Sequence, residues 1–441
     1  MAKPLPKPAI LGFALGSLGS GVYSTVPTVL LLFYCTEVLH IPPAFAAAIV
    51  FIPKAWAIVW DPLVGAWSDR SRSPRGRRAP FILAGTVGIS LTFALLFNAP
   101  GTSTMAAGGY VMLVYFVMSS SYSVFAVPYV AVPAEITDIA AEREQLMAWR
   151  MTTAMVGVLV GAGVAPMLVS AAGGGRGGYS VMALIIAAFC ATAMLITYFT
   201  VRRYHTNDRG HSRPAADLRA GLRRVAANAD YVRLWISYLL AMSGTAVFTA
   251  MVPYYVTHVL ARREADTGTA LFALLIGTIL SIPLWTKAMK RWGGWHALTG
   301  AFAAYAVVAA VFAVMPSGLS FGAVVAAMFV LGAPFGGIQL LPFTLLAHIA
   351  HAEAAAGDRQ EGLYTGVWTA GEKLALAIGP AIAGGGLALT GYVSGAAQQT
   401  EAARHGLQLL MALVPAVFLA PAMAMLLRRR GAKHTELAHH V

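Results

Sequence analysis

The sequence predicts an all-α membrane protein of twelve transmembrane helices in two pseudo-symmetric six-helix bundles, and three observations carry that expectation. The first is composition. Of 441 residues, 58% are apolar and only 11% charged, with a mean hydropathy of +0.69, whereas soluble domains carry about 25% charged residues. The second is that apolar runs of about 20 residues recur along nearly the whole chain, each long enough to cross a ~30 Å hydrocarbon core as a helix. With no water in that core to satisfy backbone groups, such runs must form a helical bundle. The third is the placement of positive charge. The net charge of +13 is concentrated at the N-terminus (Lys3, Lys7), between the second and third runs (Arg70, Arg72, Arg75, Arg77, Arg78), in the middle loop and in the tail (Arg428, Arg429, Arg430). The alternate loops hold only Arg176, Arg262, Arg263 and Arg404. That asymmetry puts both termini in the cytoplasm and argues against a nucleic-acid partner.

Taken in order, the expected spans are 10–38, 43–68, 80–99, 106–133, 147–171 and 180–202, then 233–259, 267–288, 296–315, 320–348, 362–390 and 405–428. Residues 1–202 therefore form an N-terminal bundle, 203–232 a polar, basic cytoplasmic linker with a short amphipathic stretch from Leu218 to Val225, and 233–441 a C-terminal bundle with a cytoplasmic tail. The first run is too long for a signal-peptide core and lacks a small-residue cleavage site, so it is expected to be retained. Glycines recur at close-packing spacing, as in Gly12 to Gly16, Gly157 to Gly161 and the run Gly384 to Gly386. Cys35 and Cys190 lie inside apolar runs and offer neither a disulfide framework nor a metal site. No GxxxxGK loop is present for ATP hydrolysis.

The halves resemble one another. Pro128 and the polar, charged stretch that follows it, through Arg150, match in order Pro342 and the stretch through Trp368: a helical proline, a polar helix end, a short charged loop and the next helix. Such internal symmetry is expected of transporters rather than membrane enzymes.

Few ionisable residues lie at membrane depth: Lys54 and Asp61 in the second run, Arg150 at the start of the fifth, and Glu372 and Lys373 in the eleventh. Charges there are costly and mark function. Lys54 and Asp61 are seven residues apart and so share a helix face, and Arg150 is expected within reach of Asp61. Three cations against two anions leave one positive group without a partner, which an anionic solute can neutralise, with Arg150 or Lys373 as the clamp. Asp61, then Glu372, are the candidates for coupling to a proton. Trp56 and Trp60, one turn apart, form an aromatic pair beside Asp61, and Tyr23, Tyr129, Gln339, Tyr364 and Trp368 are further candidate cavity residues.

Between the second and third runs the chain reads Gly65-Ala-Trp-Ser-Asp69-Arg70, then Gly76-Arg77-Arg78. This resembles the signature loop of the major facilitator superfamily. With the preceding Trp60-Asp61-Pro62-Leu63-Val64 it resembles one branch in particular, the glycoside-pentoside-hexuronide:cation symporters, which include melibiose and sucrose permeases and the eukaryotic lysophospholipid transporters. Phe33-Tyr-Cys-Thr-Glu-Val-Leu39, Glu142-Arg-Glu-Gln-Leu146 with Arg150, and the stretch from Glu361 to Gly379 extend the resemblance to both halves.

The resemblance implies the major facilitator fold and a cytoplasmic gate formed by Asp69, Arg70, Arg77, Arg78, Glu135 and Arg143. It also exposes departures. Of three sodium-coordinating aspartates in melibiose-type members only Asp61 remains, with Ala57 and Ala126 at the other two positions, and the sugar-binding aspartate of the first helix corresponds to Gly21. Sodium prefers several hard oxygen ligands, so H+ is the expected coupling ion, with no other cofactor. The expectation is thus a non-enzymatic, monomeric carrier in the bacterial inner membrane, moving a small anionic or zwitterionic solute with a proton. The alternatives are a lysophospholipid-like amphiphile, a sodium-coupled sugar and, last, a transport-inactive sensor.

Overall fold

A computed structural model describes residues 5–71, 73–74, 76–101, 103–137, 139–204, 218–316, 318–355, 361–396 and 398–428. Among them, twelve helices are long and apolar enough to cross a membrane: α1 Lys7–Leu31, α2 Pro43–Asp69, α3 Ala79–Leu96, α4 Thr104–Ala131, α5 Ala141–Ala171, α6 Gly175–Tyr204, α7 Ala229–Val259, α8 Ala265–Trp292, α9 Gly294–Val314, α10 Phe321–Ala350, α11 Leu363–Leu389 and α12 Glu401–Leu427. No strand occurs among the described residues. Twelve crossings bring both chain ends to one face, called here the termini face and opposed to the far face.

Each helix of the sequence reading is present, and the largest shifts are at starts. α5 begins at Ala141 and α12 at Glu401, six and four residues before the apolar run suggests. Polar first turns such as Ala141-Glu-Arg-Glu are helical but carry no hydrophobic signal, so periodicity reports only the part at lipid depth. Side-chain caps fix several starts: the Ala106 N–H donates to Ser103 Oγ (3.3 Å), the Tyr231 N–H to Asn228 Oδ1 (2.9 Å) and the Ala403 N–H to Thr400 Oγ1 (3.2 Å). The amphipathic stretch of the linker forms a helix, Leu218–Ala227. Lys3, Arg72, Arg75, Arg429, Arg430 and linker positions 205–217 fall outside the described residues.

Among the first six helices α1 packs on α5 and α6, α3 on α4 and α6, and α2 on α4. Among the last six α7 packs on α11 and α12, α8 on α10, and α9 on α10 and α12. The two sets meet where α2 lies on α11 and α5 on α8. The tightest contacts need glycine. A Cβ on Gly277 of α8 would stand 2.1 Å from Phe329 O, and one on Gly332 of α10 would stand 2.1 Å from Leu274 O. Those helices touch through backbone, the close approach that lets membrane helices associate by packing alone. Gly332→Val is therefore expected to cost about 1–3 kcal/mol of overpacking and to lower the melting temperature of the detergent-solubilised protein. Gly109→Val, with nothing within 4 Å of its would-be Cβ, should leave it unchanged. Equal melting curves would show that α8 and α10 separate without cost.

Candidate functional site

The charged residues at membrane depth converge where α2 crosses α11. Glu372 and Lys373 are consecutive, so their side chains leave α11 about 100° apart. Glu372 turns inward and accepts from the Tyr238 hydroxyl of α7 (3.3 Å). Lys373 turns outward and pairs with Asp61 of α2, so the first and last six helices are joined by a buried ion pair. Lys373 and Asp61 keep 25% and 21% of their side-chain surface exposed. Two turns along the same face of α2, Lys54 donates to Thr28 Oγ1 (2.8 Å) and to the Leu376 carbonyl (3.3 Å). Neither acceptor is charged.

Arg150 does not reach Asp61 as its position suggested; Lys373 takes that carboxylate. The guanidinium instead lies over the Tyr129 ring, 5.7 Å from its centroid, with Nη1 4.0 Å from Met147 Sδ. Its Nε is buried without a partner, as is Asp61 Oδ1. Tyr122 of α4, hydrogen-bonded with Ser20, interacts electrostatically with Arg150, Asp61 and Glu372 alike, which puts the three charges around one spot. Tyr122 was not singled out in the sequence, although the polar run Ser119-Ser-Ser-Tyr122-Ser123 inside an apolar helix was a usable signal.

The other candidates divide. Trp56 and Trp60 stack on each other (5.7 Å), and both donate to Ser120 of α4, to Oγ and to the carbonyl, at 3.1 Å each. Ser120 is two residues from Tyr122 and so on the opposite side of α4. The indoles thus face away from the charges, toward an apolar groove bordered by Trp67, Phe116 and Val124, and do not form a shelf beside Asp61. Tyr23 is also withdrawn, its hydroxyl donating to Ser90 (2.9 Å) and to the Ala187 carbonyl (3.2 Å) inside the first six helices. Tyr129 is buried and donates to the Phe13 carbonyl (2.7 Å), leaving its ring face for Arg150. Trp368 stacks on Tyr238 (4.5 Å), with its indole nitrogen unpartnered. Tyr364 is buried edge-on to Tyr231, and Gln339 is half-buried on α10. Gly21, where the family pattern has an aspartate, is a packing glycine: a Cβ there would lie 2.6 Å from the Ala154 carbonyl of α5.

The gate residues of the termini face do assemble. Buried Arg78 donates to Asp69 (2.5 Å), Ser68 (2.5 Å) and Glu135 (2.8 Å), and Arg77 pairs with Glu135 (2.5 Å). All belong to the first six helices, so the cluster ties α2, α3 and the end of α4 to one another. Arg70 and Arg143 are exposed at its edge.

A family model described as MFS/sugar transport protein matches residues 12–430. Over the chain's length the protein is similar to the putative glycoside/cation symporter YagG of Escherichia coli (24% identical, 94% of this chain and 90% of that protein). It is also similar to the sodium-dependent lysophosphatidylcholine symporter 1-A of Danio rerio (23% identical, 92% and 82%). Among solved structures it shares its fold with a bacterial homologue of the human lysosomal transporter Spinster in an inward-facing, unoccupied conformation (TM-score 0.73, 14% identity, 97% of each chain). A D-xylose-proton symporter also matches (TM-score 0.70, 12% identity, 95% of this chain and 96% of that one).

Proposed function

This chain belongs to the MFS/sugar transport family, as a multi-pass transporter of the cation-symporter type whose relatives act on glycosides or lysophospholipids, and on that premise we propose that it carries a small anionic or zwitterionic solute together with a proton. The observation that carries this reading is the charge balance at the α2–α11 crossing. Asp61 is consumed by Lys373 and Glu372 is engaged by Tyr238, while Lys54 is held by neutral oxygens and Arg150 by an aromatic face. A buried cation without a counter-charge is unfavourable. A carboxylate, sulfate or phosphate on the solute supplies one, and the flat guanidinium fork of Arg150 suits such groups.

The same geometry suggests how proton and solute are linked. The Lys373 ammonium fills the place beside Asp61 that a bound metal cation would take. Protonating Asp61 removes its charge, frees Lys373 and adds a second cation for an anionic solute, so proton and anion enter together. Breaking this cross-bundle pair also loosens α2 from α11, which alternating access about a midplane site requires. A sodium ion would have to displace the ammonium and find further ligands where Ala57 and Ala126 offer none. By the positive-inside rule, the arginines at Arg70, Arg77, Arg78, Arg202 and Arg203 make the termini face cytoplasmic. One chain supplies the whole site, so the monomer is the working unit.

The test is the external pH of lightly buffered proteoliposomes on addition of solute pools (neutral sugars, sugar acids, lysolipids), with and without sodium. Alkalinisation with an acidic solute, independent of sodium, is the expected result. A signal that requires sodium, or one given equally by neutral sugars, would overturn it; a response confined to lysolipids would keep the anion clamp but make the solute an amphiphile.

A further inference from the structure

At the far face the chain repeats a short motif that periodicity alone does not reveal. Tyr34-Cys-Thr-Glu-Val-Leu-His40 follows α1, and Tyr255-Val-Thr-His-Val-Leu-Ala261 closes α7. The copies fold alike. Each forms a five-residue π-turn, Tyr34–Val38 and Tyr255–Val259. The Leu39 N–H bonds Tyr34 O as the Leu260 N–H bonds Tyr255 O, and the Ile41 N–H bonds Cys35 O as the Arg262 N–H bonds Val256 O. Each ends on a left-handed non-glycine residue, His40 (φ 55°) and Ala261 (φ 51°), a conformation that is uncommon outside glycine. Single-turn π-bulges of this kind concentrate at functional sites.

The copies also face each other. Phe33 and its counterpart Tyr254 are in edge contact at 5.0 Å, and the Tyr254 hydroxyl bonds Thr36 at 2.7 Å. Glu37 and His258, which occupy the same position in the two copies, meet with Oε2 and Nε2 3.1 Å apart, at 15% and 9% side-chain exposure. The repeat has therefore diverged into an acid and an imidazole at the one place where its copies touch. Beside them Glu264, just before α8, accepts from the Tyr179 hydroxyl of α6, a second link between the halves, and feels the Glu37 charge. The other titratable or charged groups around the cluster are Tyr34, Cys35, Tyr254, Tyr392, Arg176 and Arg404, with Arg262, Arg263 and Asp266 flanking Glu264 in the chain.

We propose that Glu37, His258 and Glu264 form a proton-operated latch that holds the far mouth shut when protons are taken up from that side. A protonated His258 makes an ion pair with Glu37, and a neutral one makes at most a hydrogen bond. A protonated Glu264 still shares a hydrogen bond with Tyr179, whereas an ionised one puts a second buried carboxylate beside Glu37. Burial raises the Glu264 carboxyl from its ordinary range to about 7 in the closed state, with Glu37 adding to the rise and Tyr179 opposing it. A group whose affinity for protons is higher when closed stabilises closure at low pH, and that contribution is lost as pH rises through about 7. Both parts of the latch therefore open with alkali and close with acid. Asp61 at the midplane answers to solute and proton together, and the latch answers to the far compartment alone.

The experiment places spin labels at Met105 and Leu389, exposed far-face positions in opposite halves, in the full-length reconstituted protein with Cys35 and Cys190 replaced. Distance distributions are then recorded from pH 5 to 9. The expected result is a short, closed distance at low pH that gives way to a longer one through about pH 7, the ratio changing by at most about tenfold per pH unit for each proton. The Glu264→Gln, His258→Gln double variant should lose that pH response. The charge-swapped Glu37→His, His258→Glu variant, which keeps the pair, should retain it if the double variant proves poorly folded. Asp61→Asn should keep the response, so failure of the coupling assignment and failure of the latch are separate results. A distance that ignores pH in the wild type, or a double variant with the wild-type midpoint, would overturn the proposal.

Discussion

Asp61→Asn should abolish proton-driven accumulation while leaving solute exchange intact. The amide has nearly the shape of the acid but holds one charge state at every pH, so Lys373 is permanently free and the solute site no longer depends on a proton. In wild-type proteoliposomes a one-proton symporter can concentrate solute about tenfold per unit of imposed pH gradient, since one pH unit is worth 1.36 kcal/mol. In the variant the internal concentration should stop at the external one. Counterflow of labelled against unlabelled solute should remain within a few-fold of wild type. The Lys373→Ala variant separates coupling from structure. It leaves Asp61 at mid-membrane with no ionic partner, a loss that typically costs 3–5 kcal/mol at a fully buried pair and less at one retaining about a quarter of its exposure, so α2 and α11 should separate and counterflow should fall as well. Intact uphill transport by Asp61→Asn would move the coupling proton to Glu372, the other carboxylate at this depth.

The second large effect is expected at Arg150. Charge-assisted hydrogen bonds to an ionised group contribute about 1.5–3 kcal/mol, so Arg150→Ala should weaken binding of an acidic solute by roughly 10- to 150-fold. Affinity for its neutral analogue should change by less than about threefold. Arg150→Lys should recover part of the loss, because it restores the charge but not the two-pronged geometry. The readout is quenching of intrinsic tryptophan fluorescence or calorimetry with the acid and neutral members of one solute pair. Equal losses for both would mean that Arg150, lying over Tyr129, only positions α5 on α4.

How far this site was legible in the sequence can be followed residue by residue. The five ionisable positions stood out because charge is rare and costly at membrane depth, and all five lie near the α2–α11 crossing or the start of α5. Their pairing was not legible. Arg150 seemed placed to meet Asp61, yet Lys373 reaches it, because the partner of a carboxylate depends on which helices cross and at what height. Trp56 and Trp60 illustrate the same limit. One helical turn separates them from Ala57 and Asp61 in sequence, but a helix has several faces, and only the position of α4 shows that the indoles bond Ser120 while the carboxylate faces Lys373.

The sequence by itself determined the number of crossings, their order, the membrane as solvent and the family, since each follows from local hydrophobicity or from contiguous motifs such as Trp60 to Arg78. The tertiary structure alone decided which charges neutralise one another, that Gly21 is a packing contact, that the Asp69, Arg77, Arg78 and Glu135 cluster braces a single half, and that Glu37 finds His258. These depend on groups tens to hundreds of residues apart being brought within a few ångströms. No local pattern encodes that distance, because it is set by how whole helices pack.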